Sequence, residues 1–176
     1  MPAIYSTRAV MAATALLAAT SAGAASTNGT GRAVLLDAVA FINVDDLDFG
    51  LVVAPSSGVG TVTINPVDSS ITYSNLVGVS SVATQRGRLV GSGDVGQDVE
   101  VTASLPTKLY KNGDTTQPFV AVSLGLDHLS SSTGKYLYTI NRSRVFNIYL
   151  GGTLTVPAGT ANGAYNNLFT VTADYL

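Results

Sequence analysis

A single histidine, three crowded aspartates and a glycine triplet are the residues whose types and spacing could do chemistry here. His128, in Leu126-Asp127-His128-Leu129, is the only imidazole. A hydrolytic triad would need a nucleophile held against that base, such as the serine of a G-x-S-x-G turn, and the sequence has no such turn. His128 is therefore expected in a loop. Asp45, Asp46 and Asp48 form the densest carboxylate cluster. Calcium is held by such oxygen sets, but the spacing is not that of an EF-hand loop and the ligand set is incomplete, which leaves a solvated turn as the expectation. Gly91-x-Gly93-x-x-Gly96 matches a dinucleotide fingerprint by its letters. No helical pattern follows it, so there is no helix N-terminus to cradle a pyrophosphate. Asn141-Arg142-Ser143 fits the short N-glycosylation pattern, a match common by chance. The eight tyrosines could line a sugar-binding surface, although at alternating strand positions they more often fill a core or a sheet face. Acid, base and nucleophile constellations are absent, so the chain is read as no enzyme, with no catalytic, cofactor-binding or metal-binding residues.

The elements that would have to position any site are strands. Val, Thr, Ile, Leu and Tyr dominate the sequence, broken at short intervals by Gly, Asn, Asp, Ser and Pro. No helical pattern and no internal repeat follows residue 25. Arg32–Val44 reads as the longest strand-like run. Its even positions, Val34, Leu36, Ala38, Ala40, Ile42 and Val44, are all apolar, which makes one face continuously apolar. Further strands are predicted at Gly60–Asn65, Ile71–Val77, Val79–Thr84, Gly87–Val90, Asp98–Ser104, Phe119–Leu124 and Tyr136–Ile140. Val145–Pro157 reads as one strand or two, and Gly163–Leu176 as a clean terminal strand. In that last segment Tyr165, Phe169, Val171, Ala173 and Tyr175 share a face. Lys111-Asn112-Gly113-Asp114 is a hairpin signal, Gly91–Gly96 a turn or loop, and Leu129–Gly134 a Ser-rich loop. This many short strands in one domain predicts an all-β, antiparallel two-sheet β-sandwich, with a barrel as the alternative.

Length and composition bound the rest. Within the 176 residues, Ala9–Ala19 is an apolar run behind Arg8, followed by the small residues Ser21-Ala22-Gly23-Ala24. Residues 1–24 thus read as a signal peptide cleaved after Ala24, too short for a bilayer anchor, and the remainder is expected to be exported. Charged residues make up 11% of the chain, well below the usual quarter, and the net charge is −2. Nucleic acid and anionic membrane both call for a basic patch, so neither is expected as a partner. The low charge gives little protection against self-association, which a polymer subunit tolerates better than a free enzyme. Without cysteine, thiolate metal sites are excluded and the fold must hold by packing and strand pairing alone.

Two features at the C-terminus, the penultimate Tyr175 on an alternating strand and Gly163 upstream of it, resemble the ending of chaperone–usher pilins. That resemblance implies an immunoglobulin-like sandwich open to completion by a donor strand. In the family a periplasmic chaperone fills the gap first, and the N-terminal extension of the next subunit fills it in the fibre. Carried onto this sequence, the donor candidates are Val34, Leu36, Ala38, Ala40 and Ile42 within an extension spanning residues 25–44. The face met by chaperone or neighbour would be Gly163, Phe169, Val171, Ala173 and Tyr175, on a domain spanning 45–176. The implied partners are identical subunits, a periplasmic chaperone and an outer-membrane usher, and the implied location is a cell-surface fimbrium. A second resemblance covers most of residues 33–176. Leu47-Asp48-Phe49-Gly50, Gly60–Ile64, Val99–Pro106, Gly151–Val156, Gly163-x-Tyr165 and Val171–Tyr175 are similar in order and spacing to a family of small secreted bacterial domains of unassigned function. The alternative to a pilus subunit is a self-complete secreted sandwich that binds carbohydrate or a cell-surface component.

Overall fold

This computed structural model describes residues 33–79, 84–128 and 135–176. The signal-like segment, the polar residues 25–31, Arg32, residues 80–83 of a predicted strand and the Ser-rich loop lie outside the described residues. The chain divides into two compact units between Val34 and Leu35, and the fold is that of Leu35–Leu176.

Long alternating runs become strands because every second side chain can be buried on one face. Among the described residues thirteen strands form: β1 (Ala40–Asp45), β2 (Leu51–Val53), β3 (Val59–Ile64), β4 (Ile71–Ser74), β5 (Val77–Val79), β6 (Gly87–Ser92), β7 (Asp98–Ser104), β8 (Lys108–Lys111), β9 (Phe119–Leu126), β10 (Lys135–Thr139), β11 (Val145–Pro157), β12 (Tyr165–Asn166) and β13 (Thr170–Tyr175). Every pairing is antiparallel, and no helix occurs among the described residues. The arrangement is a β-sandwich. An eight-stranded sheet runs β1-β6-β11-β9-β8-β12, with β3 and β4 branching from β11; the other sheets are β10-β7-β13 and β2-β5.

The long strand β11 floors the whole sandwich. Phe146, Ile148, Leu150, Leu154 and Val156 all point inward and are buried. On one edge β11 pairs with β6 through Leu150 and with β3 from Gly152 onward, while its other edge carries β9. The handover falls on Gly151-Gly152. Gly152 has φ +153°, which L side chains rarely adopt, and a Cβ on Gly151 would run into the backbone of Ile64 and Pro66. Only glycine lets three strands crowd that point.

Two apolar clusters result. The first (Leu89, Val99, Val101, Leu126, Tyr138, Ile140, Phe146, Ile148 and Leu150) lies between β6 and the first half of β11 on one side and the β10-β7-β13 sheet on the other. The second (Phe49, Val62, Ile64, Val120, Val122, Leu154 and Val156) lies on β3, β9 and the second half of β11, with Phe49 added from the segment before β2.

Two predicted elements are corrected. The run expected to be one strand from Arg32 pairs only from Ala40, where β1 joins β6. Its inward residues are the odd ones: Val39 and Phe41 pack on the first cluster, and the Phe41 ring meets Phe146 edge-on with centroids 5.6 Å apart. The terminal strand is two pieces. β12 pairs with β8 in the large sheet and β13 with β7 in the three-stranded one, so the chain changes sheet across Asn167–Phe169. Asn167 secures the crossing, its Nδ2 donating to the Lys108 carbonyl at 2.9 Å.

Candidate functional site: an apolar groove beside an open strand edge

The two clusters are covered unequally. Over the second, the segment Leu47–Ala54 approaches from one side and Thr160–Phe169 from the other. Between them remains a cavity of about 600 Å³, floored by Leu109, Val120, Leu124, Leu154 and Val156. Its lining is mostly apolar, with Phe49, Leu51, Val52, Ala54, Tyr165 and Phe169 on the flanks and Asp48, Asn162, Asn166 and Asn167 as polar rim residues. The size is that of a ligand-binding cleft. Local turns hold the flanks. Asp48 caps the Gly50 amide (2.7 Å) and exchanges backbone hydrogen bonds with Gln85 at 3.0 and 2.8 Å. Tyr165 Oη donates to the Ala161 carbonyl (2.7 Å).

Both flanks end in strand edges without a partner among the described residues. β2 pairs only with β5, and β13 only with β7. Phe169 lines the groove and immediately precedes β13, whose Val171, Ala173 and Tyr175 are half-buried against the first cluster. An open edge presents a row of backbone donors and acceptors, and it is the natural docking line for an added strand.

A protein-family model described as Domain of unknown function (DUF4402) matches residues 39–175. The chain belongs to this family. No curated protein and no solved structure matches the chain. The DUF4402 domain therefore takes in both clusters, the groove and both open edges. It starts at Val39, so Val34, Leu36 and Ala38 precede it while Ala40 and Ile42 fall inside β1.

The residues singled out from the sequence are distributed as follows. Phe169, Val171, Ala173 and Tyr175 come together on one face beside the groove; Gly163 lines the groove against the Lys111 side chain. Val34, Leu36, Ala38, Ala40 and Ile42 are all exposed, Val34 and Ile42 at 70% and 63%. The even face of β1 thus turns to solvent, while Phe41 and the preceding Val39 pack inward. What sequence reasoning missed is the floor and the far flank of the groove: Val120, Leu154 and Val156 fall in predicted strands with nothing to mark a cleft, and Leu109 lies outside every predicted strand.

The chemistry-bearing residues serve the fold of the DUF4402 domain. Asp127 accepts hydrogen bonds from Tyr138 Oη (2.8 Å) and the Tyr149 amide (3.1 Å), with His128 Nδ1 3.4 Å from its second oxygen. Burial, and next the hydrogen bond to Asp127, hold the Tyr138 phenol well above its ordinary range. Asp46 accepts from the Asn43 amide at 2.6 Å, and no group of three or more metal-ligating side chains occurs among the described residues. Gly91 lies on β6 against the Phe146 ring, with no helix after the glycine triplet. Asn141 Oδ1 closes its own turn by accepting from the Ser143 amide at 2.8 Å. No helix of the described residues is long and apolar enough to cross a membrane.

Proposed function

We propose that this DUF4402 protein is a structural subunit of a surface fibre, joined to its neighbours by strand addition into the groove. The observation that carries the reading is the groove itself: an apolar floor, the β2 edge without a second partner among the described residues on one flank, and on the other Phe169, from which the open-edged strand β13 continues. An incoming extended segment would find main-chain partners along the β13 edge for affinity and apolar cavities for alternate side chains for specificity. The alternating apolar residues around Val34 and Leu36 supply such a segment from an identical subunit. In this reading a periplasmic chaperone holds the groove before assembly, an outer-membrane usher orders the subunits, and residues 1–24 direct export.

Subunits joined by an inserted strand come apart slowly. Surface material sheared from source cells and run unboiled in SDS is expected to give a ladder that collapses to monomer on boiling. Leu36→Asp is expected to remove the ladder, because a carboxylate carried into the groove without a partner costs on the order of several kcal/mol. A single monomer band from the unmodified chain would overturn the proposal in favour of a self-contained binding module.

A further inference from the structure

Five polar contacts link Asp37, in front of β1, with Asp94, Arg144 and Tyr175, and three of them are made by Asp37 itself. The Asp37 amide donates to Asp94 Oδ2 at 2.7 Å, and the Asp37 carbonyl accepts from Tyr175 Oη at 2.7 Å. That same hydroxyl accepts from the Asp94 amide at 2.8 Å. The Arg144 guanidinium bridges the Asp37 carboxylate and Asp94 Oδ1, the latter at 3.1 Å. Gly93 makes room for this: a Cβ there would collide with the Tyr175 hydroxyl. An exposed ion pair alone holds little, but here both backbone polar groups of Asp37 are also engaged. Beyond it, Val39 and Phe41 pack on the first cluster and Ala40–Asn43 pair residue by residue with β6. Before it, Leu36 is exposed and Leu35 is 94% exposed.

From this we infer that Asp37 is the point at which the chain passes from its own subunit to the next. The segment ending at Leu36 of a second copy is what the groove takes, with Val34 and Leu36 as its apolar side chains. Ala38, Ala40 and Ile42 stay at home. The inference rests on the strand-addition reading and narrows its donor. Two observations favour a second copy as occupant: the two leucines before Asp37 are exposed in their own unit, Leu35 at 94% and Leu36 at 42%, and the family match begins at Val39. Tyr175 gains a role that its position on the β13 face does not reveal. It ties the open edge to the exit point of the extension.

The test uses the absence of cysteine. Ala40 faces Ser92, and Ile42 faces Val90, across the β1–β6 pair. Directly opposed strand residues come within reach of an engineered disulfide. Ala40→Cys with Ser92→Cys, or Ile42→Cys with Val90→Cys, staples β1 to its own subunit, and closure is read as the loss of two hydrogens by mass spectrometry. Stapled subunits are expected to give the same unboiled ladder as the unmodified chain. A ladder from the unmodified chain that vanishes on stapling would place the donor inside β1 and overturn this inference while leaving the strand-addition reading intact; no ladder from either would sink that reading instead. The anchor is read separately on the isolated subunit. Thermolysin is expected to cut before Leu35 and Leu36 at equal rates in the unmodified chain, Tyr175→Phe and Arg144→Gln. Cuts before Val39 and Phe41 should rise at least tenfold in the two variants. Unchanged cutting in both variants would mean that Asp37 is not the anchor.

Discussion

The two apolar clusters share one floor strand and differ in their roofs. Over the first half of β11 lies the β10-β7-β13 sheet, bolted down by the Tyr138 hydroxyl on Asp127 and the Tyr175 hydroxyl between Asp37 and Asp94. Over the second half lie the three-residue strands β2 and β5 and the irregular Thr160–Phe169 segment, with the cavity between. The same alternating pattern therefore yields a closed core at one end and an unfinished one at the other. Burial alone does not make the difference; the first half is covered by strands of five to seven residues paired in one sheet, the second by strands of two or three residues that belong to different sheets.

The sharpest way to break the comparison is to truncate one floor residue under each roof. Ile148 is fully buried in the first cluster, and Ile148→Ala is expected to cost roughly 2–5 kcal/mol by urea unfolding. Leu154→Ala, at the wall of an existing cavity, should fall at or below the bottom of that range, about 2 kcal/mol, because less new enclosed void is created. Equal losses would mean the groove is closed in solution.

Next in size is the tie between sheets. Tyr138→Phe removes the hydroxyl from a partly buried carboxylate and is expected to cost about 1.5–3 kcal/mol in the same measurement. Asp127 keeps its bond from the Tyr149 amide, so the loss should not exceed that range.

Filling the groove works in the opposite direction. Ala54 packs at its edge, and Ala54→Leu should raise subunit stability by up to about 1 kcal/mol by burying added methylene groups. The same change should weaken ladder formation. A stabilised subunit with an undiminished ladder would separate the cavity from assembly.

The smallest effect lies outside both clusters. Hydrogen bonds from the Thr116 amide and hydroxyl hold the exposed Asp114 carboxyl below the usual aspartate range. Its folded pKa is depressed, so its stabilisation is complete above about pH 4, the unfolded value, and is lost as pH falls through the lower folded value. In Asp114→Asn the acid limb of stability against pH should flatten slightly, with no change in shape near neutrality.

How much of this was legible follows from what each residue pattern encodes. β7, with Val99 and Val101 inward and Glu100 and Thr102 outward, and β3, with Val62 and Ile64 inward, follow from strict alternation. The segment 33–39 does not, because it is apolar at both odd and even positions; its two faces compete, and only pairing with β6 fixes where a strand begins. The β12–β13 break was hidden because Tyr165 and Phe169 keep the alternation while the backbone changes partner at Asn167. The groove was out of reach of periodicity altogether, since it is a space between segments far apart in sequence, and a space leaves no pattern. The Asp37 anchor joins residues 138 apart in sequence, with no local signal beyond a charged residue among apolar ones.

That last separation has a consequence in time. The hydroxyl that completes the anchor belongs to the penultimate residue, and β13 pairs with a strand ending at Ser104. Contacts this distant along the chain close late and slowly. During synthesis the eight-stranded sheet lacks only β12 once β11 is made, while the third strand of the opposite sheet and its hydroxyl contact with Asp37 wait for β13. A chain lacking β13 would lack the hydroxyl that engages Asp37 and Asp94, so the hold on the segment in front of β1 depends on a strand at the far end of the domain.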